Sequence, residues 1–121
     1  MSEPSPALLA YARQFGIEPA EVPARIAEQF GERFARETLR TGESTWGPGP
    51  LTPRERSLLI VASLVTQGAV DDRLRGHVRL ALAHGLDAEE LEAAVTLLAG
   101  YAGFPRASVA MEIVRNEIGA D

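Results

Sequence analysis

The chain has 121 residues, of which 45% are hydrophobic and 24% charged, and its formal net charge at pH 7 is −5. These values are ordinary for one soluble globular domain and leave no room for a second core. The net acidity argues against a nucleic-acid partner, because the basic residues are interleaved with acids and lack aromatic stacking neighbours. The absence of cysteine excludes disulfides, thiolate metal sites and thiol nucleophiles.

Neither a leader nor a membrane segment is visible in the sequence. The first residues, Met-Ser-Glu-Pro-Ser-Pro, lack the basic start and apolar core of a signal peptide. The longest apolar stretch, Leu58 to Val65, is too short to cross a bilayer. We therefore expect a cytoplasmic protein with no membrane partner. The two histidines have neither HxH nor HExxH spacing, so we expect no dedicated metal site.

The first fifty residues predict two helices and a loop. Ser5-Pro6 is typical of an N-cap followed by proline in the first helical turn, and Gly16 of a helix stop. A second helical stretch runs from Glu18 to about Arg40, with the helix proper starting at Pro23. Residues Thr41 to Pro50, which end in Gly-Pro-Gly-Pro, predict a loop.

One face of the second helical stretch is expected to be apolar, because Ile26, Phe30 and Phe34 recur at a spacing of four residues.

The helix after the loop is expected to be buried. Thr52-Pro53-Arg54-Glu55 predicts a helix start in which Thr52 is the cap and Glu55 closes a capping box. The helix from Ser57 to Gln67 is apolar nearly all round, and Gly68 ends it. Such a helix is either the central helix of the domain or an oligomer contact.

Three further helices complete the prediction. Asp71 or Asp72 caps a helix that stops at Gly85, and Asp87 caps one that runs to about Tyr101. Gly103-Phe104-Pro105 breaks the chain, and a last helix runs from Arg106 to Ile118. Strand-like alternation is absent from the sequence. The sequence thus predicts an all-α domain of about six helices over residues 1–121.

Four segments of the second half resemble the carboxymuconolactone decarboxylase family, in its cysteine-free branch beside the alkylhydroperoxidase-D-like proteins. The resemblance spans about residues 46–114 and leaves residues 1–40 as a helical extension. The segments are Trp46-Gly-Pro-Gly-Pro-Leu51 with Thr52-Pro-Arg-Glu-Arg-Ser-Leu58, Gly76-His-Val-Arg-Leu-Ala-Leu-Ala-His-Gly85, Glu89-Glu-Leu-Glu-Ala-Ala-Val95 and Ala99-Gly-Tyr-Ala-Gly-Phe-Pro105.

The resemblance implies an all-helical fold that assembles as homotrimers or as homohexamers built from trimers. It also implies an activity that needs no cofactor. The reaction that names the family is the loss of CO2 from γ-carboxymuconolactone in aromatic catabolism, which gives an enol-lactone. This sequence differs from the family pattern at Pro48, where the family often has an arginine. A different reaction on a related small molecule is therefore a second possibility.

His77 is the first candidate for a catalytic residue. A decarboxylation leaves electron density on carbon that must be protonated, and an imidazole suits that proton transfer. The resemblance places the family's histidine at the same position. Glu55 is the second candidate, as a carboxylate that orients His77. Its place in the capping box gives an equally good structural explanation.

The candidates for substrate binding are cations and loop residues. Arg56 and Arg79, and also Arg75, offer guanidinium groups to a carboxylate or an oxyanion. Trp46 and Glu43 lie on the predicted Gly-Pro-rich loop, where residues that cover a site are common; Trp46 is equally well explained as an anchor that buries the loop.

His84 lies two turns from His77 on the same helix face. A cation there would also suit the helix dipole.

Three functions remain open from the sequence. The first is a decarboxylase-like enzyme that acts on a small lactone or carboxylic acid by proton transfer at His77. The second is a diverged relative that catalyses lactone hydrolysis, isomerisation or cyclisation in a biosynthetic pathway. The third is a non-catalytic helical oligomer that binds a small molecule or a partner. In all three the chain is expected to associate with itself, because its apolar faces exceed what a small monomer can bury.

Overall fold

The computed structural model describes residues 3–119, which form seven α-helices and one short 3-10 helix and contain no strand. The all-α prediction is confirmed. The chain divides into two compact units, Met1–Pro50 and Leu51–Asp121. A single domain with an extension over residues 1–40 remains a prediction. None of the helices in the described part is long and apolar enough to cross a membrane.

The first unit contains three helices, one more than predicted. They are α1 (Pro6–Phe15), α2 (Val22–Phe30) and α3 (Glu32–Thr45), with the 3-10 turn Pro19–Glu21 before α2. Ser5 caps α1 by accepting a hydrogen bond from the backbone of Leu8, and Gly16 ends it in the left-handed conformation, as predicted. Pro23 lies in the first turn of α2.

The prediction of one continuous second helix was wrong, because Gly31 separates α2 from α3. Its φ of 95° is a conformation that L side chains rarely adopt. The break also changes the expected apolar face. Ile26 is buried, but Phe30 and Phe34 are 38% and 57% exposed. Their rings lie against each other with centroids 5.1 Å apart, outside the buried cluster of the unit.

The predicted loop also begins later than expected, because α3 continues through Thr45. The hydroxyl of Thr45 donates to the carbonyl of Thr41, four residues back. Gly42, inside this helical segment, lies against the ring of Tyr11 from α1, and an added Cβ there would overlap the Tyr11 hydroxyl. That hydroxyl donates to the carbonyl of Thr38, at 3.3 Å. The glycine therefore serves a close approach of α1 to α3.

The second unit consists of four helices around one apolar core. They are α4 (Pro53–Gln67), α5 (Asp72–Ala83), α6 (Ala88–Ala102) and α7 (Phe104–Ile118). α4 packs against α5, α6 and α7, but only Ser57, Val61 and Val65 are buried and Leu59 is 60% exposed. The helix is therefore buried on one face, and the choice between a central helix and an oligomer contact stays a prediction. The core is formed by Val61, Val65, Leu74, Val78, Ala81, Leu91, Val95, Ala110 and Val114, among others.

The helix ends of this unit agree closely with the sequence prediction. The capping boxes at Thr52–Glu55 and Asp87–Glu90 both form, and Asp71 rather than Asp72 caps α5. α7 starts at Phe104, two residues before the predicted Arg106.

Candidate functional site

Both histidines of the chain lie on one face of helix α5, His77 within the helix and His84 at its C-cap. The helix begins where the Asp71 carboxylate accepts a hydrogen bond from the backbone of Arg73, at 2.9 Å, and it ends at His84 before Gly85, whose φ is 98°. His77 and His84 are seven residues apart. Seven residues make almost two whole turns, so the two side chains project from the same side of the helix.

His77 lies in the middle of α5 in an apolar environment. Its neighbours on the helix, Leu74, Val78 and Ala81, are fully buried. The imidazole Nδ1 is buried and has no hydrogen-bond partner among residues 3–119. Burial lowers the pKa of His77 to about 4, because the charged imidazolium is poorly solvated there. At neutral pH the ring is therefore uncharged and able to accept a proton.

His84 has a defined partner on the neighbouring helix. Its Nδ1 lies 2.8 Å from the hydroxyl of Ser57 in α4. Ser57 is only 1% exposed, and among the buried residues of the described part of the chain it is the one with a polar side chain. A hydroxyl can donate to or accept from an imidazole nitrogen, so Ser57 can hold the His84 ring in either tautomer.

This contact also fixes the register of the antiparallel pair α4 and α5. The helices are joined by the short connection 68–71 at one end, and Ser57 meets His84 at the other. His77 lies about 10 Å along the helix axis from His84, which places it at the level of Leu64 in α4. The core residues of α4 nearest to that level, Val61 and Val65, are apolar and fully buried.

Glu55 lies at the same end of the helix pair as Ser57 and His84, away from the level of His77. Its carboxylate accepts a hydrogen bond from the backbone N–H of Thr52 at 2.9 Å, and its own N–H donates to the Thr52 hydroxyl at 3.1 Å. The first of these bonds is the main reason that the pKa of Glu55 lies below its usual value. The structure thus gives Glu55 the capping role and does not bring it to His77 within the chain.

The candidate arginines of α5 are engaged with carboxylates. Arg79 forms an ion pair with Glu117 of α7 at 2.9 Å, and Arg75 forms one with Asp72 at 3.0 Å. Arg56 is half-buried in the first turns of α4, at the end of the helix pair where Ser57 and His84 meet.

Two further candidates belong to the first unit. Trp46 follows the last residue of α3 and is 9% exposed, which favours its interpretation as an anchor. The Glu43 carboxylate accepts a hydrogen bond from the Ser5 hydroxyl at 2.7 Å, and this bond ties α3 to the start of α1.

Ser57 was missed by the sequence reasoning. The available signal was a small polar residue facing the same side as Val61 and Val65 in an apolar helix. Its partner lies 27 residues away, so the pairing itself could not be recognised locally.

A family comparison covers both histidines. The model of the carboxymuconolactone decarboxylase family matches residues 32–116. The chain belongs to the carboxymuconolactone decarboxylase family. The match takes in α3 through α6 and most of α7, and therefore all eight candidate residues proposed from the sequence. A search of curated proteins finds no matching sequence.

An imidazole is a side chain that can exchange a proton with a bound molecule. No three His, Asp or Glu side chains within residues 3–119 are grouped so as to hold a metal ion. The neutral His77 imidazole can accept a proton, and its low pKa makes it a weaker base than an ordinary histidine.

Proposed function

We propose that this chain is a cofactor-free enzyme that transfers a proton at His77 on a small lactone or carboxylic acid, in the manner of a carboxymuconolactone decarboxylase. The observation that carries the proposal is the buried, unpartnered Nδ1 of His77 in a chain of this family. Buried polar atoms are almost always hydrogen-bonded, and exceptions occur at catalytic groups.

In the decarboxylation, the bond between a ring carbon and the carboxylate breaks and CO2 leaves. The electron pair moves through the ring double bond to the lactone carbonyl, which gives a dienolate, and the dienolate is then protonated on carbon. His77 is neutral in the free chain, so it must first gain a proton. A substrate carboxylate next to the ring favours the imidazolium, and substrate binding would therefore be coupled to proton uptake.

The second candidate is a diverged member that catalyses lactone isomerisation, hydrolysis or cyclisation. The neutral state of His77 favours it, because a general base removes a proton without being charged first.

A non-catalytic oligomer that binds a small molecule or a partner is the third candidate. This candidate predicts that the wild type converts no substrate, and that replacing His77 changes only the affinity for the bound molecule.

We also propose that the chain acts in the cytoplasm as a homotrimer or homohexamer. Three apolar side chains on α6 and at the start of α7 support self-association, because Leu97, Tyr101 and Phe104 are 66%, 87% and 72% exposed. Sedimentation at micromolar concentration tests this, and a strict monomer would contradict it.

The test of the proposed function compares the wild type with His77→Gln on γ-carboxymuconolactone, measured by ultraviolet absorbance and CO2 release. We expect the variant to lose activity by about a hundredfold or more. His84→Gln is the matched control, because it removes the other imidazole of the same helix face and should cost less. Equal losses in both variants, or full activity of His77→Gln, would contradict the proposal.

A further inference from the structure

Five residues form an exposed surface on α6 and at the start of α7, here called the α6 face. Leu97, Tyr101 and Phe104 are 66%, 87% and 72% exposed, and Ala93 and Gly100 are also exposed. The four residues that belong to α6 follow one another at spacings of three or four or lie next to each other, so they share one side of the helix. Exposed apolar surface of this kind is typical of a contact with another molecule.

Packing within the described part of the chain gives no reason for Gly100. An added Cβ at this position would meet no atom within 4 Å, and a glycine inside a helix lowers its stability relative to alanine. The glycine is explained if another backbone or a large side chain approaches α6 closely at this point.

Large and small residues along the α6 face fit a second, antiparallel copy of the same face. When two α6 helices pair around a two-fold axis midway between Leu97 and Gly100, Leu97 of each copy faces Gly100 of the other. The same register places Phe104 opposite Ala93. Each of these large side chains then meets a small residue, as interdigitated packing of two helices requires.

The charges at the two ends of the α6 face also favour the antiparallel arrangement. Glu89 is exposed one turn before Ala93, and residues 93–105 carry no charge. Beyond them lies Arg106, which is exposed and donates to the carbonyl of Thr66. Antiparallel pairing brings the acidic end of each copy toward the Arg106 end of the other, whereas parallel pairing would bring like charges together.

We infer that the α6 face is the contact with a second copy of this chain, formed by two antiparallel α6 helices around a two-fold axis. This contact rests on the self-association proposed above. A two-fold contact is self-complementary and joins copies in pairs, so it requires an even number of copies. Of the two proposed assemblies, the homohexamer agrees with it and the homotrimer does not.

The first test compares Leu97→Glu with Leu59→Glu, a matched control because Leu59 is 60% exposed on α4. We expect sedimentation at micromolar concentration to give the same even-numbered assembly for wild type and Leu59→Glu. Leu97→Glu should give half of that mass, because its carboxylates would be buried in the contact. Circular dichroism measures whether both variants are folded.

Gly100→Ala separates a contact from a purely structural role, because the two effects have opposite signs. Alanine favours the helix and its methyl group meets nothing within the chain, so it should raise the urea midpoint of the dissociated Leu97→Glu protomer. In the wild-type background the methyl group would lie where Leu97 of the other copy packs. The dissociation constant should then rise by about tenfold.

Crosslinking tests the register directly, since the chain contains no cysteine. A mixture of Ala93→Cys and Phe104→Cys should form a disulfide between copies under oxidising conditions. Ala93→Cys alone should not, because its two Cα atoms would lie about 16 Å apart along the helix axis, beyond the roughly 7 Å that a disulfide can span.

The opposite outcomes are distinguishable. A trimer, or an assembly that Leu97→Glu leaves intact, would overturn the two-fold contact and leave the proposed self-association standing. Equal dissociation of Leu59→Glu, tighter association of Gly100→Ala, disulfides formed by Ala93→Cys alone, or none formed in the mixture would also overturn it. A strict monomer would overturn both the contact and the self-association, and would leave the proton transfer at His77 to its own test.

Discussion

The middle of helix α5 and its C-terminal end each present a histidine on the same face, yet the two imidazoles have opposite surroundings. The Nδ1 of His84 meets the buried hydroxyl of Ser57, whereas the Nδ1 of His77 is buried without a partner. The comparison teaches that two histidines on one helix face differ through what the fold places against each ring. The hydroxyl of Ser57 holds the His84 ring in place. Burial without a partner at Nδ1 keeps the His77 ring neutral.

The largest expected contrast is in titration. The imidazole of His77 should titrate near pH 4, well below the ordinary value of about 6.5. The unfolded chain binds this proton at the higher pH, so the contribution of neutral His77 to stability is complete above about pH 6.5 and is lost as the pH falls toward 4. NMR titration measures the midpoint, and urea unfolding of wild type and His77→Gln measures the loss. A midpoint near 6.5 would contradict the desolvation.

A smaller effect is expected from Ser57→Ala, which leaves the Nδ1 of His84 facing a methyl group. The free energy of unfolding should fall by about 1–3 kcal/mol, the cost of a polar group left without its partner. Ser63→Ala is the matched control on the same helix, because Ser63 is exposed and its hydroxyl accepts a hydrogen bond from the exposed Gln67; the free energy of unfolding should change by no more than about 0.5 kcal/mol. Similar losses in the two variants at neutral pH would show that the Ser57–His84 bond stabilises little.

The smallest effect is expected at Glu55, which caps α4 at the His84 end of the helix pair. Glu55→Ala removes the carboxylate half of the capping box and should cost about 0.3–1.5 kcal/mol, whereas Glu55→Gln can keep the reach-back hydrogen bond and should cost less. Neither variant should move the NMR titration midpoint of His77, since Glu55 lies at the His84 end of the helix pair. A clear shift of that midpoint would instead make Glu55 a partner of His77.

The features that sequence predicted correctly are those that depend on neighbours along the chain. Ser5, Thr52 and Asp87 each bond to a backbone N–H three residues on, so their capping roles can be recognised in a short window. The break at Gly31 was missed, because the spacing of Phe30 and Phe34 suggested a continuous helical face. Periodicity does not reveal whether a glycine inside it takes a left-handed conformation.

The candidate site was predictable only in part, for a related reason. His77 could be chosen from its residue type and its position in the family motif. Its neutral state could not be predicted, since the desolvation depends on how deeply the folded helices bury the ring. Ser57 was invisible as a partner of His84 because the hydrogen bond between them exists only once α4 and α5 are folded against each other.

The contact between Tyr11 and Gly42 couples two positions that lie far apart in the sequence. A side chain at position 42 would meet the phenol ring of Tyr11, so the ring would have to move and its hydrogen bond to the Thr38 carbonyl would be disturbed. With a smaller residue at position 11 the same substitution at 42 would meet no ring and would cost less. Substitutions at the two positions are therefore expected to be non-additive in a double-mutant cycle.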